Sequence, residues 1–382
     1  MRNPSTRIGG YSQTNLSIRQ LLTNFHLDVP LLLLILTLLG LGLFVLYSAS
    51  AENVVKLWRQ VAWIVFGLIS MWLTAMVPPA TLKRWAPKIF LVSLIPLALV
   101  LSPKIGITVN HARRWIGFES LRVQPSEFFK IILPLTIAWL LSEARIPIRF
   151  GHLTLALIVI AIPVAMVLGE PDLGTALLIL MSGVMVLFLA GLSWKLIFVA
   201  VIALAASSIP IYKYALADYQ KVRIDTLFSG GEKKKQQKGT HWQSNQSKIA
   251  IGSGGIYGKG YRSGTQSHHG FLPEADTDFI FAVISEEFGL TGALFLLMLY
   301  LLILFRGLLI ATSAQDTFSR LLAGTISLMF MVHIAINMLM VSGKIPVVGL
   351  PLSLISRGGT ALITTMVGFG ILMSIQTHRK LV

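Results

Sequence analysis

Five carboxylates fall within Phe271–Glu287: Glu274, Asp276, Asp278, Glu286 and Glu287. They gather at the start of an apolar segment, in a chain of 382 residues with only 16 acids against 32 Lys and Arg. A carboxylate beside hydrocarbon is costly unless it has a partner or a task, so an ionisable group at a membrane boundary is a functional candidate. Asp278 stands at the first position of the apolar run, preceded by Thr277. Desolvated on one side and wet on the other, it can act as a base, because burial lifts a carboxylate's pKa toward neutrality; capping of the following helix is the alternative. Glu286 and Glu287 come about two turns later, inside or just beneath the membrane surface unless the helix breaks. Gly289 and Gly292 make such a break credible.

Other groups could serve the same site. Arg113-Arg114-Trp115-Ile116 sets two guanidiniums beside an interfacial aromatic, able to grip a phosphate or simply to anchor the segment at the membrane surface. In Gln124-Pro-Ser-Glu-Phe-Phe-Lys130 the Pro and Ser mark a helix start. Glu127 and Lys130 then share a face at i, i+3, where they can pair with each other, or line a polar cavity and hold a phosphate or a sugar hydroxyl. Gly169-Glu-Pro-Asp-Leu-Gly-Thr175 reads as a tight turn in which Asp172 caps the next helix or, with Glu170, coordinates a metal. His268-His269 lies near the acids, where imidazole and carboxylate could hold a divalent ion, but no zinc spacing is present.

The glycines of Gln246–Gly260 do not form a phosphate loop. A Walker loop ending at Gly258-Lys259 needs glycine at 253 and a hydroxyl at 260, where the chain has Ser253 and Gly260; a G-x-G-x-x-G register from Gly252 needs glycine at Tyr257. Turns and close backbone approach are the better reading.

These residues must be positioned by membrane helices. The chain is 54% hydrophobic and 13% charged, with mean hydropathy +0.75, far outside the soluble range. The expected fold is an all-α polytopic membrane protein, one integral domain over 1–382. About ten spans are expected, near 29 to 50, 57 to 77, 85 to 102, 127 to 142, 151 to 168, 174 to 192, 194 to 214, 279 to 305, 318 to 341 and 358 to 377. Residues 1–28 are polar, carry Arg2, Arg7 and Arg19, and resemble the cytoplasmic head of an uncleaved signal anchor. Both termini are then expected in the cytoplasm, with 103–126 and a large loop 215–277, between the seventh and eighth spans, on the outer face. The short outer segment keeps Lys104, Arg113, Arg114 and Arg122 against the positive-inside trend, which suggests an anionic ligand there. Within the large loop, Gly230–Gly239 reads as a flexible lysine-rich excursion and Gln246–Gly260 as an ordered re-entrant or interfacial segment. Cysteine is absent, so no disulfide braces that loop.

Taken in order, Gln-Pro-Ser-Glu, Glu-Pro-Asp-Leu-Gly-Thr-Ala, Ile-Ala-Ile-Gly-Ser-Gly-Gly, Gly264-Thr-Gln-Ser267, Phe271-Leu-Pro-Glu-x-x-Thr-Asp-Phe-Ile-Phe-Ala-Val, and Gly343-Lys-Ile-Pro-Val-Val-Gly-Leu-Pro-Leu352 followed by Ser-x-Gly-Gly resemble the SEDS (FtsW/RodA/SpoVE) family of bacterial cell-wall proteins, across nearly the whole chain. Gly264–Ser267 and Phe271–Glu274 look more like its elongation branch than its division branch. The resemblance implies a ten-helix glycosyltransferase of the inner membrane that polymerises lipid II into peptidoglycan strands on the outer face. It works with a class B penicillin-binding protein and without nucleic acid. It further implies Asp278 as the essential acid, Arg114, Trp115, Glu127 and Lys130 along the substrate cavity, and Arg113 and Lys344 as further substrate contacts. An α-linked donor giving a β-linked product implies a single inverting displacement. A divalent cation, Mg or Mn, could assist, with Asp276 and Asp278 as ligands. Two residues depart from the family pattern: Asp276 stands where His is expected, and Arg357 where Tyr is expected in the Ser-Tyr-Gly-Gly element. Another departure, Ser353, replaces a Pro. A lipid II flippase, a division-type polymerase, or a scaffold that only positions a partner synthase are the rival readings; transport would use the same basic cavity without a base.

Overall fold

The computed structural model describes residues 26–50, 53–109, 112–118, 121–143, 150–193, 240–268, 271–272 and 274–379, with a few single positions between 195 and 221. Three helices open the chain: α1 (Val29–Ala49), α2 (Val54–Ala75) and α3 (Pro79–Leu101). Their starts are set locally. Asp28 accepts from Leu31 N–H at 3.0 Å, and Asn53 accepts from Lys56 N–H at 3.1 Å, satisfying amide donors that a helix start leaves over. Next come the strands β1 (Ile107–Val109), β2 (Ala112–Phe118) and β3 (Leu121–Val123), then α4 (Pro125–Ser142), α5 (Phe150–Gly169) and α6 (Leu173–Leu189). The remaining helices are α7 (Thr240–Ser253), the single turn α8 (Thr265–His268), α9 (Ile280–Thr312), α10 (Thr317–Val341) and α11 (Gly359–Thr377).

Among the described residues eight helices are long and apolar enough to cross a bilayer: α1 to α5 and α9 to α11. With 17 residues, α6 is shorter, about 26 Å of helix at 1.5 Å per residue. Their boundaries follow the expected spans closely. The span expected over 194–214 falls almost wholly outside the described residues, as do most of the N-terminal segment 1–28, the lysine tract and His269. The architecture is the all-α polytopic one, with a correction at 103–126. That segment is a small antiparallel sheet in the order β1-β2-β3, pairing Ile107 with Trp115 and Ile116 with Val123. Its β-branched residues (Ile107, Thr108, Val109, Ile116, Val123) favour extended backbone, and ladder hydrogen bonds satisfy amides that a bare loop beside the membrane would leave open.

The core is assembled from faces rather than whole helices. In α1, Leu31, Ile35, Leu38 and Leu46 are fully buried, while Leu33 and Phe44 point outward, as expected of a helix wetted by lipid. Small residues let helices approach closely: a Cβ at Gly67 of α2 would sit 3.1 Å from Met366 of α11, and Gly370 of α11 backs directly onto Thr74 and Met71.

One helix is broken. Gly289 in α9 has φ 65° and ψ −157°, a conformation that suits glycine alone. The carbonyls of Glu286 and Glu287 accept instead from the N–H groups of Lys259 and Gly260, both at 3.0 Å. Leu290 and Thr291 donate to the carbonyls of Gly255 and Ile256, at 3.0 and 3.1 Å. The expected ordered segment 246–260 is therefore the piece that satisfies the broken backbone, which hydrocarbon could not. Its glycines serve close approach: a Cβ at Gly254 or Gly258 would overlap the backbone of α9 at Ser285 or Glu287.

Candidate functional site

Asp278 lies in the turn ahead of α9, half-buried, two residues before the helix begins at Ile280. The N-cap position is held by Phe279, so Asp278 stands one residue ahead of it. The carbonyl of Asp278 accepts from the Asn337 side-chain amide at 3.0 Å, and the same amide donates to the Leu350 carbonyl at 2.6 Å. A Cβ on Gly349 would stand 3.5 Å from Asp278 Oδ2, so the carboxylate lies over the backbone of the loop between α10 and α11.

One turn along α10 from Asn337, His333 Nε2 is 2.8 Å from the Pro351 carbonyl. His333 also lines an open cavity between α4, α6, α10 and α11, together with Glu127, Lys130, Ser353, Thr364 and Thr365. Glu127 and Lys130 pair at 2.7 Å, both largely buried. The loop 349–353 thus links the cavity wall to the turn carrying Asp278. Neither Asp278 nor Arg113, Arg114, Trp115 or Lys344 lines this cavity itself.

Arg114 instead reaches from β2 to Asp172 at 3.1 Å. Asp172 also caps α6, accepting from Thr175 N–H at 3.2 Å, and accepts from Gln124 Nε2 at 3.0 Å. Asp172 thus both caps α6 and pairs with a cation. Beside it Glu170 is wholly buried, and its oxygens meet no hydrogen-bond donor in good geometry. Burial, with a smaller push from the Asp172 carboxylate, lifts Glu170 to about 8; Arg114 and the Ser126 hydroxyl pull the other way and lose. Arg113 donates to the Leu101 carbonyl at 3.3 Å. Trp115 is half-buried on β2, and Lys344 is exposed in the turn after α10.

The remaining acids of the cluster have partners within the fold, Glu274 through its backbone. Glu286 is buried against Lys259 at 2.7 Å and accepts from Thr265 and the Gln266 N–H; Glu287 takes the Ser48 hydroxyl. Glu274 is exposed at φ 58°, its carbonyl accepting from Thr277 N–H. Asp276 is buried between two cations, Lys56 at 2.9 Å and Arg357 at 3.1 Å. Its carboxylate is thus shared by two cations, a partnership that its expected role as a metal ligand with Asp278 did not include. Among the described residues no three His, Cys, Asp or Glu side chains converge as metal ligands.

A sequence profile of the FtsW/RodA/SpoVE cell cycle proteins matches residues 29–381. The chain belongs to this family. Among its FtsW/RodA/SpoVE relatives, the peptidoglycan glycosyltransferase MrdB of Escherichia coli K12 is 44% identical over 356 residues, covering 93% of this chain and 95% of that one. MrdB of Helicobacter pylori strain 26695 is 36% identical, with 93% and 91% covered. A chain from a peptidoglycan synthase complex that coordinates polymerisation and crosslinking superposes with TM-score 0.79 at 29% identity, covering 92% of this chain and 99% of that one. The rod shape determining protein RodA of Thermus thermophilus gives 0.70 at 29%, with 92% and 98% covered.

Lys56, His333 and Asn337 in this FtsW/RodA/SpoVE chain escaped sequence reasoning, and Gln124 and Ser356 were noted only as members of the Gln-Pro-Ser-Glu and Ser-x-Gly-Gly elements, without a partner. A signal existed for two of them. His333 and Asn337 are polar residues at i, i+4 in an apolar span, hence on one face, and such residues in a membrane helix point to function. For Lys56 and Ser356, whose partners lie some 80 to 220 residues away, sequence spacing offered none.

Proposed function

We propose that this chain polymerises lipid II into peptidoglycan glycan strands during cell elongation, from the inner membrane, with a class B penicillin-binding protein as partner. Both termini then lie in the cytoplasm, and the sheet, the turn of Asp278 and the 215–277 loop on the outer face. One observation carries the mechanism: Asp278 stands outside its helix, half-buried, with its backbone tied to α10 and its carboxylate against the loop that walls the cavity.

In the reaction the acceptor's sugar hydroxyl attacks the anomeric carbon of the lipid-linked donor. The new C–O bond forms as the bond to the diphosphate oxygen breaks, and the diphosphate leaves with the electron pair. Asp278 takes the hydroxyl proton, a contribution of roughly 10² to 10⁴-fold for a positioned general base. Charge grows on the leaving diphosphate, and Arg113, Arg114, Lys130 and Lys344 are the cations proposed to meet it. Arg114 and Lys130 already face carboxylates, so they would share their charge between protein and substrate. Trp115 and Glu127 complete the proposed substrate contacts. No step runs through a metal.

The test is to purify the chain with its partner, supply lipid II, and compare wild type with Asp278→Asn. Polymer from wild type and none from the variant is the expected result. Equal polymer from both removes Asp278 as the base, and no polymer from either, with lipid movement intact, replaces the reading with transport.

A further inference from the structure

Three successive backbone carbonyls ahead of α9 are each taken by a different donor. The Asp276 carbonyl accepts from Arg357 N–H at 3.0 Å, the Thr277 carbonyl from the Ser356 hydroxyl at 2.5 Å, and the Asp278 carbonyl from Asn337 at 3.0 Å. Ser356 is itself fixed by Leu352 N–H at 2.8 Å. Side chains repeat the link. Arg357 approaches the Asp276 carboxylate through Nε, and Lys56 reaches it from the first turn of α2. A single largely buried carboxylate therefore joins α2, the turn of Asp278 and the loop before α11. Asp276 and Arg357 are also two positions at which this chain departs from the motif it otherwise follows, and they are each other's partners.

We infer that Asp276 and Arg357, braced by Lys56, form a charge clamp that sets the position of the Asp278 carboxylate. They are positioning residues: neither needs to touch substrate. The physical case is that a general base must sit within hydrogen-bond reach of the proton it takes, and about 1 Å of displacement can cost on the order of 10²-fold. The clamp sits two residues from Asp278, on the wall that the carboxylate faces at Gly349, so it moves base and wall together. Removing Arg357 leaves the buried Asp276 charge to Lys56 alone, and removing Asp276 leaves two partly exposed cations without their shared carboxylate and the turn free to shift.

The inference rests on the glycosyltransferase reading, and its test separates the two. Polymerisation of lipid II by the chain with its partner is measured for wild type, Asp276→His, Arg357→Tyr and the double variant, with monodisperse elution checking each fold. Asp276→His is expected to lower kcat about ten-fold or more with KM within two-fold, because two cations lose their carboxylate. Arg357→Tyr is expected to lose about three-fold, since Lys56 remains. The double variant removes both charges of the Asp276–Arg357 pair and leaves only Lys56, the more exposed cation, without a partner, so it is expected to recover to within about three-fold of wild type. Full activity in both single variants, or a double no better than the product of the singles, overturns the clamp. No polymer from wild type overturns the glycosyltransferase reading and the clamp with it. As an independent readout, Asp276→Cys with Arg357→Cys in this cysteine-free chain is expected to crosslink reversibly, since the two backbones are hydrogen-bonded to each other; absence of the crosslink also overturns it.

Discussion

Asn337, wholly buried on α10, donates to the carbonyl of Asp278 at 3.0 Å and to that of Leu350 at 2.6 Å. One side chain thus fixes the distance between the proposed base and the loop that walls the cavity. Asn337→Leu would leave both carbonyls without this donor, at a cost of about 1–3 kcal/mol for a buried unsatisfied group. The expected outcome is a lowered thermal midpoint in detergent together with a fall in polymerisation of roughly 10 to 100-fold. Unchanged activity would show that Asp278 keeps its place without Asn337.

Glu127 and Lys130 pair at 2.7 Å on one face of α4, at the cavity wall. Breaking one partner strands the other in a low-dielectric setting, which costs about 3–5 kcal/mol, whereas an apolar pair of similar size is often neutral. Lys130→Met alone should therefore destabilise strongly, and Glu127→Leu with Lys130→Met much less. If the double variant regains its thermal midpoint but makes no polymer, the pair serves substrate as well as structure.

The helices were legible because hydrophobic run length is a local property, and α1, α4 and α10 begin within two residues of where the runs predict. Likewise the break at Gly289 followed from glycines placed just after two acids that lipid would not tolerate. The sheet over 107–123 was not legible: its strands are three to seven residues long, and cations rather than alternation dominate the segment. At the candidate site, residue type and spacing singled out Asp278, whose role stays a proposal, and anticipated the Glu127–Lys130 pair. They did not reveal the ion pairs of Asp276, because their cations come from Lys56 and Arg357, far away in sequence and brought close only by packing.

Glu170 predicts a pH signature. An unfolded chain ionises this carboxyl above about 4.5, whereas the folded protein holds the proton until about 8. Between those values the unfolded state binds fewer protons, so stability falls as pH rises through this window and levels off above it. The loss should be on the order of a few kcal/mol. Glu170→Gln keeps the shape of the protonated side chain and removes the titration. Thermal midpoints taken from pH 5 to 8 should therefore decline in wild type and stay nearly flat in the variant, which becomes the more stable of the two at pH 8. Parallel declines would mean that Glu170 is ionised in the folded protein.

Gly258 and Gly252 lie six residues apart, but the structure asks different things of them. Gly258 has φ +80°, and a Cβ there would overlap the Glu287 carbonyl, at the place where 255–260 trades hydrogen bonds with the broken turn of α9. Gly252 lies in α7 with nothing within 4 Å of its would-be Cβ. Gly258→Ala must therefore either strain its own backbone, at about 1–3 kcal/mol, or push the segment off α9 and expose amides that hydrocarbon cannot satisfy. Gly252→Ala gains helix propensity of roughly 0.5–1 kcal/mol. The yield of monodisperse protein should collapse for the first and hold or rise for the second. Equal yields would mean that the segment can leave α9 at little cost, and that the break at Gly289 is satisfied in some other way.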